Sequence, residues 1–149
     1  MGYYVHIEDS NIMLPERNKE LAYWRMCALN DKDELKRGGS QTEKWFSWME
    51  KNYPETCKDA KDILVQLGFD VEEGDGGLVI YAYDNKSGQE GLFLEAMSDL
   101  VVAHTGDEKP FITWRGEDDM VWKETYGERL VKHFQGTIVF LEEGVGMWG

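Results

Sequence analysis

Residues 111–143 constrain the fold of this chain more than any other stretch. Apolar and aromatic side chains alternate there with polar ones, which is the period of a half-buried β-strand. Breaks rich in glycine and acidic residues, at 116–119 and 127–128, divide the stretch into three strands. A meander of this size must bury one face to be stable, so the segment predicts an antiparallel sheet covered by amphipathic helices.

Three stretches have the period of an amphipathic helix and can supply that cover. In the first, Leu21 and Trp24 fall on the apolar stripe that we expect to face the sheet. In the second, Thr56 is the predicted N-cap, and Gly68 ends the helix after apolar residues spaced three and four apart. The three predicted helices span residues 15–29, 56–67 and 92–101, and a short fourth one covers 45–49.

Shorter alternating runs predict three further strands, at 3–7, 69–73 and 78–83, the last two joined by a glycine-rich turn. Helices and strands together predict an α+β fold. Its sheet is largely antiparallel, with about six strands, and three to four helices pack mainly on one face. We expect a single domain over residues 1–143 and a flexible C-terminal tail at 144–149.

Net charge is the strongest constraint on function. The chain has 29 acidic residues against 16 lysines and arginines, which gives a formal net charge of −13 at pH 7. This balance disfavours direct binding to nucleic acid or to an anionic membrane, because both require basic side chains. The excess of acid either keeps the protein dispersed or forms a surface directed at a basic partner, such as a protein site that normally holds nucleic acid.

Several classes of site lack a supporting motif. The three histidines lie far apart, without metal-ligand spacing to one another or to Cys27 and Cys57. No nucleophile motif or cofactor loop occurs, so we predict neither metal nor cofactor and favour a non-enzymatic protein. Without an apolar run of membrane-spanning length or a secretory signal, we expect a cytoplasmic protein with reduced cysteines.

Two groups of residues are candidates for a binding surface. Trp45 and Trp48 lie in the densest aromatic stretch of the chain, and such side chains are enriched in protein interfaces as well as in cores. The acidic break of the meander supplies the second group. We predict a partner- or ligand-binding surface composed of Trp45, Trp48, Arg115, Glu117, Asp118 and Asp119.

Three motifs carry a resemblance to known proteins: W-R-G-E-D at 114–118, W-F-S-W-M at 45–49 and Y-D-N-K-S-G-Q-E at 83–90. Together they are similar to a set of small uncharacterised proteins from bacteriophage and actinobacterial genomes, over nearly the whole chain. That set has no established activity, so the resemblance carries over no functional residue. It implies an accessory gene, often phage-borne, and in that setting short acidic proteins commonly bind and block host machinery.

Three functions follow, in order of preference. The first is a non-enzymatic, phage-encoded protein that engages or blocks a host protein, for example in host defence, through the acidic and aromatic surface. The second is a module for a nucleotide-like ligand, with aromatic side chains lining a pocket and Arg115, Lys36 and Arg37 as phosphate partners. The third is an enzyme of unassigned reaction. The oligomeric state stays open.

Overall fold

The computed structural model describes residues 3–31, 52–86, 90–104, 109–128 and 131–136. Its strands are β1 Tyr4–Ser10, β2 Ile12–Pro15, β3 Phe69–Gly74, β4 Gly77–Lys86, β5 Val102–Ala103, β6 Phe111–Gly116, β7 Val121–Thr125 and β8 Lys132–Gly136. Its α-helices are α1 Lys19–Ala28, α2 Tyr53–Thr56, α3 Ala60–Leu67 and α4 Glu90–Ala96. Within these ranges, no helix combines the length and the apolar character needed to cross a bilayer.

The described strands form one antiparallel sheet. Near its centre lie β1 and β2, which follow one another and which we together call the N-terminal strand. β1 and β2 follow one another along one edge of β4, and β3 pairs with the other edge of β4. On the far side of the N-terminal strand, β6 pairs with β1 and β5 pairs with β2. β7 and β8 continue the sheet beyond β6. The predicted α+β class and the largely antiparallel sheet are therefore confirmed.

The meander lies at one side of this sheet. Its strands β6, β7 and β8 form one side of the sheet, whereas β4 and β1 are central. The prediction missed β2 and β5, which have four and two residues and are too short to show a periodic pattern. Pairing between strands far apart in the chain, rather than the local meander, therefore organises the sheet.

Asn11 joins β1 to β2 and holds two other strands in line beside them. Its backbone N–H donates to the Phe111 carbonyl at 3.2 Å, and its own carbonyl accepts from the His104 N–H at 2.9 Å. Its side-chain oxygen accepts from the Phe111 N–H at 2.8 Å, and its side-chain nitrogen donates to the Lys109 carbonyl at 3.3 Å. The residue is buried, so these bonds satisfy polar groups that water does not reach.

The helices cover one face of the sheet and enclose an apolar core. Val5 of β1 and Ile12 and Leu14 of β2 are buried in it. The fully buried side chains of α3 are Ala60, Ile63, Leu64 and Leu67, the residues of the predicted stripe. The expected end of this helix is confirmed at Gly68, whose φ of 114° suits glycine.

The start of α3 differs from the prediction. Asp59 is the N-cap, and its carboxylate accepts a hydrogen bond from the Asp62 N–H at 2.9 Å. Thr56, the predicted N-cap, is the last residue of the separate short helix α2. Both residues are good caps by type, and the extended backbone at Cys57 ends α2 and delays the start of α3.

The apolar stripe of α1 also differs from the prediction. Ala22 and Met26 are buried, while Leu21 and Trp24 are 46% and 58% exposed. Because consecutive helical residues are rotated by roughly 100°, choosing the larger side chains placed the stripe one residue out of phase. α1 packs against α3 and α4, and the small Ala22 and flexible Met26 fit this helix-to-helix contact.

The third predicted helix is shorter than residues 92–101. α4 ends at Ala96, a 3₁₀ turn follows at Ser98–Leu100, and Val102 starts β5. The apolar residues after Ala96 are buried by the turn and by the chain entering the sheet rather than by a continuous helix. A run of apolar residues does not distinguish these cases.

A bulge in β4 separates the core from an exposed aromatic side chain. The register between β3 and β4 shifts at this point, so that Tyr81 is an extra residue between Ile80 and Ala82. Ile80 and Tyr83 consequently both face the core, although they are three residues apart. Tyr81 is 51% exposed.

We predict that Leu64→Ala lowers the free energy of unfolding by about 2–5 kcal/mol, because Leu64 is completely buried in the core. Val65→Ala is the matched control on the same helix, since Val65 is 51% exposed and should cost less than about 0.5 kcal/mol. Urea denaturation measures both values. Equal, small losses for the two variants would contradict the packing of α3 on the sheet.

We predict that Asn11→Ala costs about 1–3 kcal/mol of stability, because it leaves the buried partners of the side chain without their hydrogen bonds. Ser98→Ala is the control. The Ser98 hydroxyl is also buried but has no hydrogen-bond partner among the described residues, so its removal should be neutral or stabilising. Thermal unfolding compares the two variants, and an equal loss for both would argue against the role of Asn11.

Candidate functional site

The structure describes four of the six predicted surface residues. Trp45 and Trp48 lie outside the described residues, as do Lys36 and Arg37 of the nucleotide alternative and the C-terminal tail at 144–149. The four that are described lie at one end of the sheet, at the turn between β6 and β7: Arg115, Glu117, Asp118 and Asp119.

The turn between β6 and β7 is compact and holds its three acidic residues outside the core. The Gly116 N–H donates to the Met120 carbonyl at 2.8 Å, and the Asp119 N–H donates to the Gly116 carbonyl at 2.9 Å. Asp119 has a positive φ of 69°, a conformation that aspartate tolerates better than most residues. The local chemistry of the turn therefore accounts for an acidic residue at this position.

Two of the three acids bind the N-terminal strand. The Glu117 carboxylate accepts from the Tyr4 N–H at 3.1 Å, and the Glu117 N–H donates to the Tyr4 carbonyl at 2.9 Å. Asp118 accepts a hydrogen bond from the Tyr3 hydroxyl and another from the Met120 N–H at 3.2 Å. These carboxylates fasten the start of β1 to the turn, which is a structural role.

The contact between Tyr3 and Asp118 shifts the pKa values of both groups. The hydrogen bond to Asp118 raises the pKa of Tyr3 to about 12, because the carboxylate stabilises the neutral phenol. The same bond lowers the pKa of Asp118. Gly116 makes the contact possible, since a β-carbon there would overlap the Tyr3 hydroxyl.

Arg115 is engaged by two carboxylates on the face of the sheet opposite the helices. Its Nε atom lies 2.6 Å from Glu8 and its Nη1 atom lies 3.4 Å from Asp119. The hydrogen bond from Arg115 lowers the pKa of Glu8 and raises that of the guanidinium, and His6 also contacts Glu8 at 3.2 Å. A phosphate ligand would have to displace these carboxylates from Arg115.

The hairpin between β3 and β4 is also acidic, with Glu72, Glu73 and Asp75, and it lies at the opposite end of the sheet from the turn between β6 and β7. The turn after Gly116 adjoins the start of β1, which pairs with the end of β4 at Lys86. The turn between β3 and β4 adjoins Gly77, at the beginning of β4. Since β4 has ten residues, about 30 Å separates the two turns, several times the Debye length of roughly 10 Å. Their charges therefore do not add.

A larger acidic surface lies between these turns, on the sheet face opposite the helices. We call it the acidic face and define it by the outward side chains of β3, β4 and β1. Val79 and Ala82 also point to this side but are apolar and half-buried, so we leave them out. The others are exposed except for the half-buried His6, and register shifts at Glu8 and Tyr81 interrupt the strict alternation. The members of the acidic face are Tyr4, His6, Glu8, Asp9, Asp70, Glu72, Tyr81 and Asp84.

Sequence reasoning could find only part of this face. Alternation in the first strand correctly assigns Tyr4, His6 and Glu8 to the polar side. It does not show that Asp84 of β4 pairs with His6 of β1, nor that a bulge exposes Tyr81. Strand neighbours and bulges depend on the tertiary fold, and the sequence had no local signal for them.

A polar and aromatic cluster inside the meander was also missed. One carboxylate oxygen of Glu124 accepts from the Trp114 indole N–H at 3.1 Å and from the Tyr126 hydroxyl at 2.7 Å. Burial raises the pKa of Tyr126 well above its ordinary value, and Trp122 stacks on Trp114 with ring centroids 6.5 Å apart. A glutamate at an inward position of a predicted strand was the available signal. The cluster joins β6 to β7.

The motif W-R-G-E-D has a structural explanation in these contacts. Trp114 belongs to the core, Arg115 binds Glu8 and Asp119, and Gly116 admits the Tyr3 ring. The two acids that follow hold the start of β1. The motif therefore specifies the attachment of the N-terminal strand to the meander.

Among the described residues, no group of three histidine, cysteine, aspartate or glutamate side chains could hold a metal ion. Cys27 and Cys57 are not joined in a disulfide. Comparison with protein-family models, with curated proteins and with solved structures finds no match to this chain. The site is therefore defined by its own geometry alone.

We predict that Tyr3→Phe raises the pKa of Asp118 toward its ordinary value, since the variant removes the hydrogen bond that lowers it. The folded-state pKa of Asp118 is depressed, so the stability that this bond contributes is present above the ordinary aspartate pKa and is lost as pH falls through the folded value. NMR titration of the Asp118 carboxyl carbon measures the shift.

Tyr4→Phe is the control for this titration. Tyr4 contacts the same turn through its backbone N–H and carbonyl, which the variant keeps. The pKa of Asp118 should therefore stay at its wild-type value. An unchanged Asp118 pKa in Tyr3→Phe, or equal shifts in both variants, would be inconsistent with the assigned hydrogen bond.

Proposed function

We propose that this chain is a non-enzymatic, cytoplasmic binding protein that engages a basic protein partner through its acidic face. The resemblance to phage proteins adds that it is phage-encoded and blocks a host protein, for example one that acts in host defence. The partner surface it fits is one that normally holds nucleic acid, because phosphates and carboxylates attract the same basic side chains.

One observation carries the proposal: exposed tyrosines lie among carboxylates on the sheet face opposite the described helices. Tyr81 is 51% exposed and Tyr4 is 46% exposed. Asp84 is exposed on β4, three residues after Tyr81. Its cross-strand neighbour is His6, which is two residues after Tyr4 on β1. Exposure of such large side chains to water is unfavourable, and covering them with a partner lowers the free energy.

The chemistry of this face suits arginine and lysine side chains. Tyrosine rings attract cations over their faces, and tyrosine is enriched among residues that dominate binding energy. The surrounding carboxylates offer charge-assisted hydrogen bonds and increase the rate of encounter with a positively charged partner. Neither effect requires a catalytic group, a metal or a cofactor.

The residues that the sequence predicted at the turn between β6 and β7 border the acidic face. Arg115 pairs with Glu8, a member of the acidic face, while Glu117 and Asp118 bind the N-terminal strand. We therefore assign these three residues to the support of the surface. Trp45 and Trp48 remain candidates for an additional contact with the partner.

The experiment compares partner capture by two variants that change charge and aromatic content equally. Tyr81→Ser with Asp84→Lys alters the acidic face. Trp24→Ser with Glu95→Lys makes the same changes on the helical side, where both residues are exposed. Quantitative mass spectrometry after affinity purification from a host lysate identifies proteins retained by the wild type, and purified candidates then give association rates.

We expect the acidic-face variant to slow association with the partner by about tenfold or more, while the helical-side variant retains wild-type rates. Raising the salt concentration should slow wild-type association, and excess duplex DNA should compete for the partner. A partner whose association is indifferent to salt and to the acidic-face variant would refute the proposal.

A further inference from the structure

The strand β3 has one edge without a described partner. It pairs with β4 from Phe69, opposite Tyr83, to Gly74, opposite Gly77. The other edge of β4 is taken by β2 over the same residues, since Val79 pairs with both Glu72 and Met13. Among the described residues, no strand pairs with the second edge of β3. Its outward backbone N–H and carbonyl groups can therefore bind an added strand.

The exposed side chains along β3 are acidic. Asp70 and Glu72 point to the acidic face, and neither forms an ion pair with a described residue. Glu73 points to the helical side, where Lys19 lies 3.0 Å away and Lys61 lies 4.0 Å away. The hydrogen bond from Lys19 lowers the pKa of Glu73. The charges available to a partner are thus those of Asp70 and Glu72.

This charge distribution selects between two kinds of added strand. A second copy of β3 would bring its own acids against these acids, and like charges on neighbouring strands are destabilising. A strand with basic residues would instead place opposite charges side by side. Asp70 and Glu72 therefore disfavour pairing with a second copy of β3 and favour an added strand that carries basic residues.

The spacing along the strand gives the pattern of the occupant. Side chains on one face of a strand recur at every second residue, about 7 Å apart, so basic residues must alternate with others to face both Asp70 and Glu72. The intervening side chains turn to the helical side, beside the half-buried Val71, and apolar residues suit that position.

We infer that the free edge of β3 binds an extended segment of the partner by strand addition, with basic and apolar residues alternating in that segment. The inference rests on the proposed function and specifies how the partner is held. Backbone hydrogen bonds to β3 supply affinity in this mode, and the alternate side chains supply specificity. The segment would lie beside the acidic face, within reach of its carboxylates.

The test uses two capped nine-residue peptides of the same composition. In the first, lysine and valine alternate; in the second, the lysines are consecutive. We expect the alternating peptide to slow hydrogen exchange at those amides of residues 70–74 that point away from β4. It should also shift the NMR signals of residues 70–74. The block peptide should produce neither effect there, because it cannot present lysines to one face.

Two charge-reversal variants complete the experiment. Asp70→Lys with Glu72→Lys should weaken binding of the alternating peptide by about tenfold or more. Glu55→Lys with Glu95→Lys makes the same change of charge at exposed helical positions and should leave binding unchanged. Circular dichroism of each variant checks that the fold is intact.

Three results would overturn strand addition at β3. These are protection, before any peptide is added, of the β3 amides that point away from β4, equal effects of the two peptides, and signal shifts at Tyr81 and Asp84 without changes in β3. The last result would exclude strand addition at β3 but would still support the acidic face as the binding surface. Failure of the proposed function is recognised separately. In that case the Tyr81→Ser, Asp84→Lys variant would associate with the partner at the wild-type rate.

Discussion

The hydrogen bonds of Asn11 are the interaction on which the rest of this sheet depends. The N-terminal strand changes neighbours at this residue, from β6 to β5, and a change of neighbour leaves backbone groups without ladder partners. The Asn11 amide acts as a substitute for the missing ladder by bonding the backbone at Lys109 and Phe111. Both halves of the sheet therefore keep a common strand, and one helical layer can cover them.

The acidic residues of the turn after β6 and those of β3 and β4 have different roles. Those at the turn after β6 are bound to the start of β1 or to Arg115, and they hold the fold together. Those on β3 and β4 lie on an open face with exposed tyrosines. A net charge of −13 therefore does not measure the charge offered to a partner. Position in the sheet decides which carboxylates remain available.

Local patterns in the sequence predicted the elements that depend on local physics. The stripe of α3, its glycine end and the tight turn between β3 and β4 follow from periodicity and turn chemistry. The central place of β1, the pairing of Arg115 with Glu8 and the bulge at Tyr81 join residues far apart in the chain, and no local pattern encodes them. The acidic turn was recognised as exposed, but its binding to the N-terminal strand required the tertiary structure.

The central position of β1 has a consequence for synthesis of the protein. β1 is synthesised before its partners β4 and β6, which begin only at residues 77 and 111. The N-terminal strand must therefore stay unpaired until β4 has been made, and its second edge stays free until β6 follows. Sheets built from such distant pairings fold slowly and expose strand edges meanwhile. The polar side chains of His6, Glu8 and Asp9 on β1 help to keep the nascent segment apart from other chains during this interval.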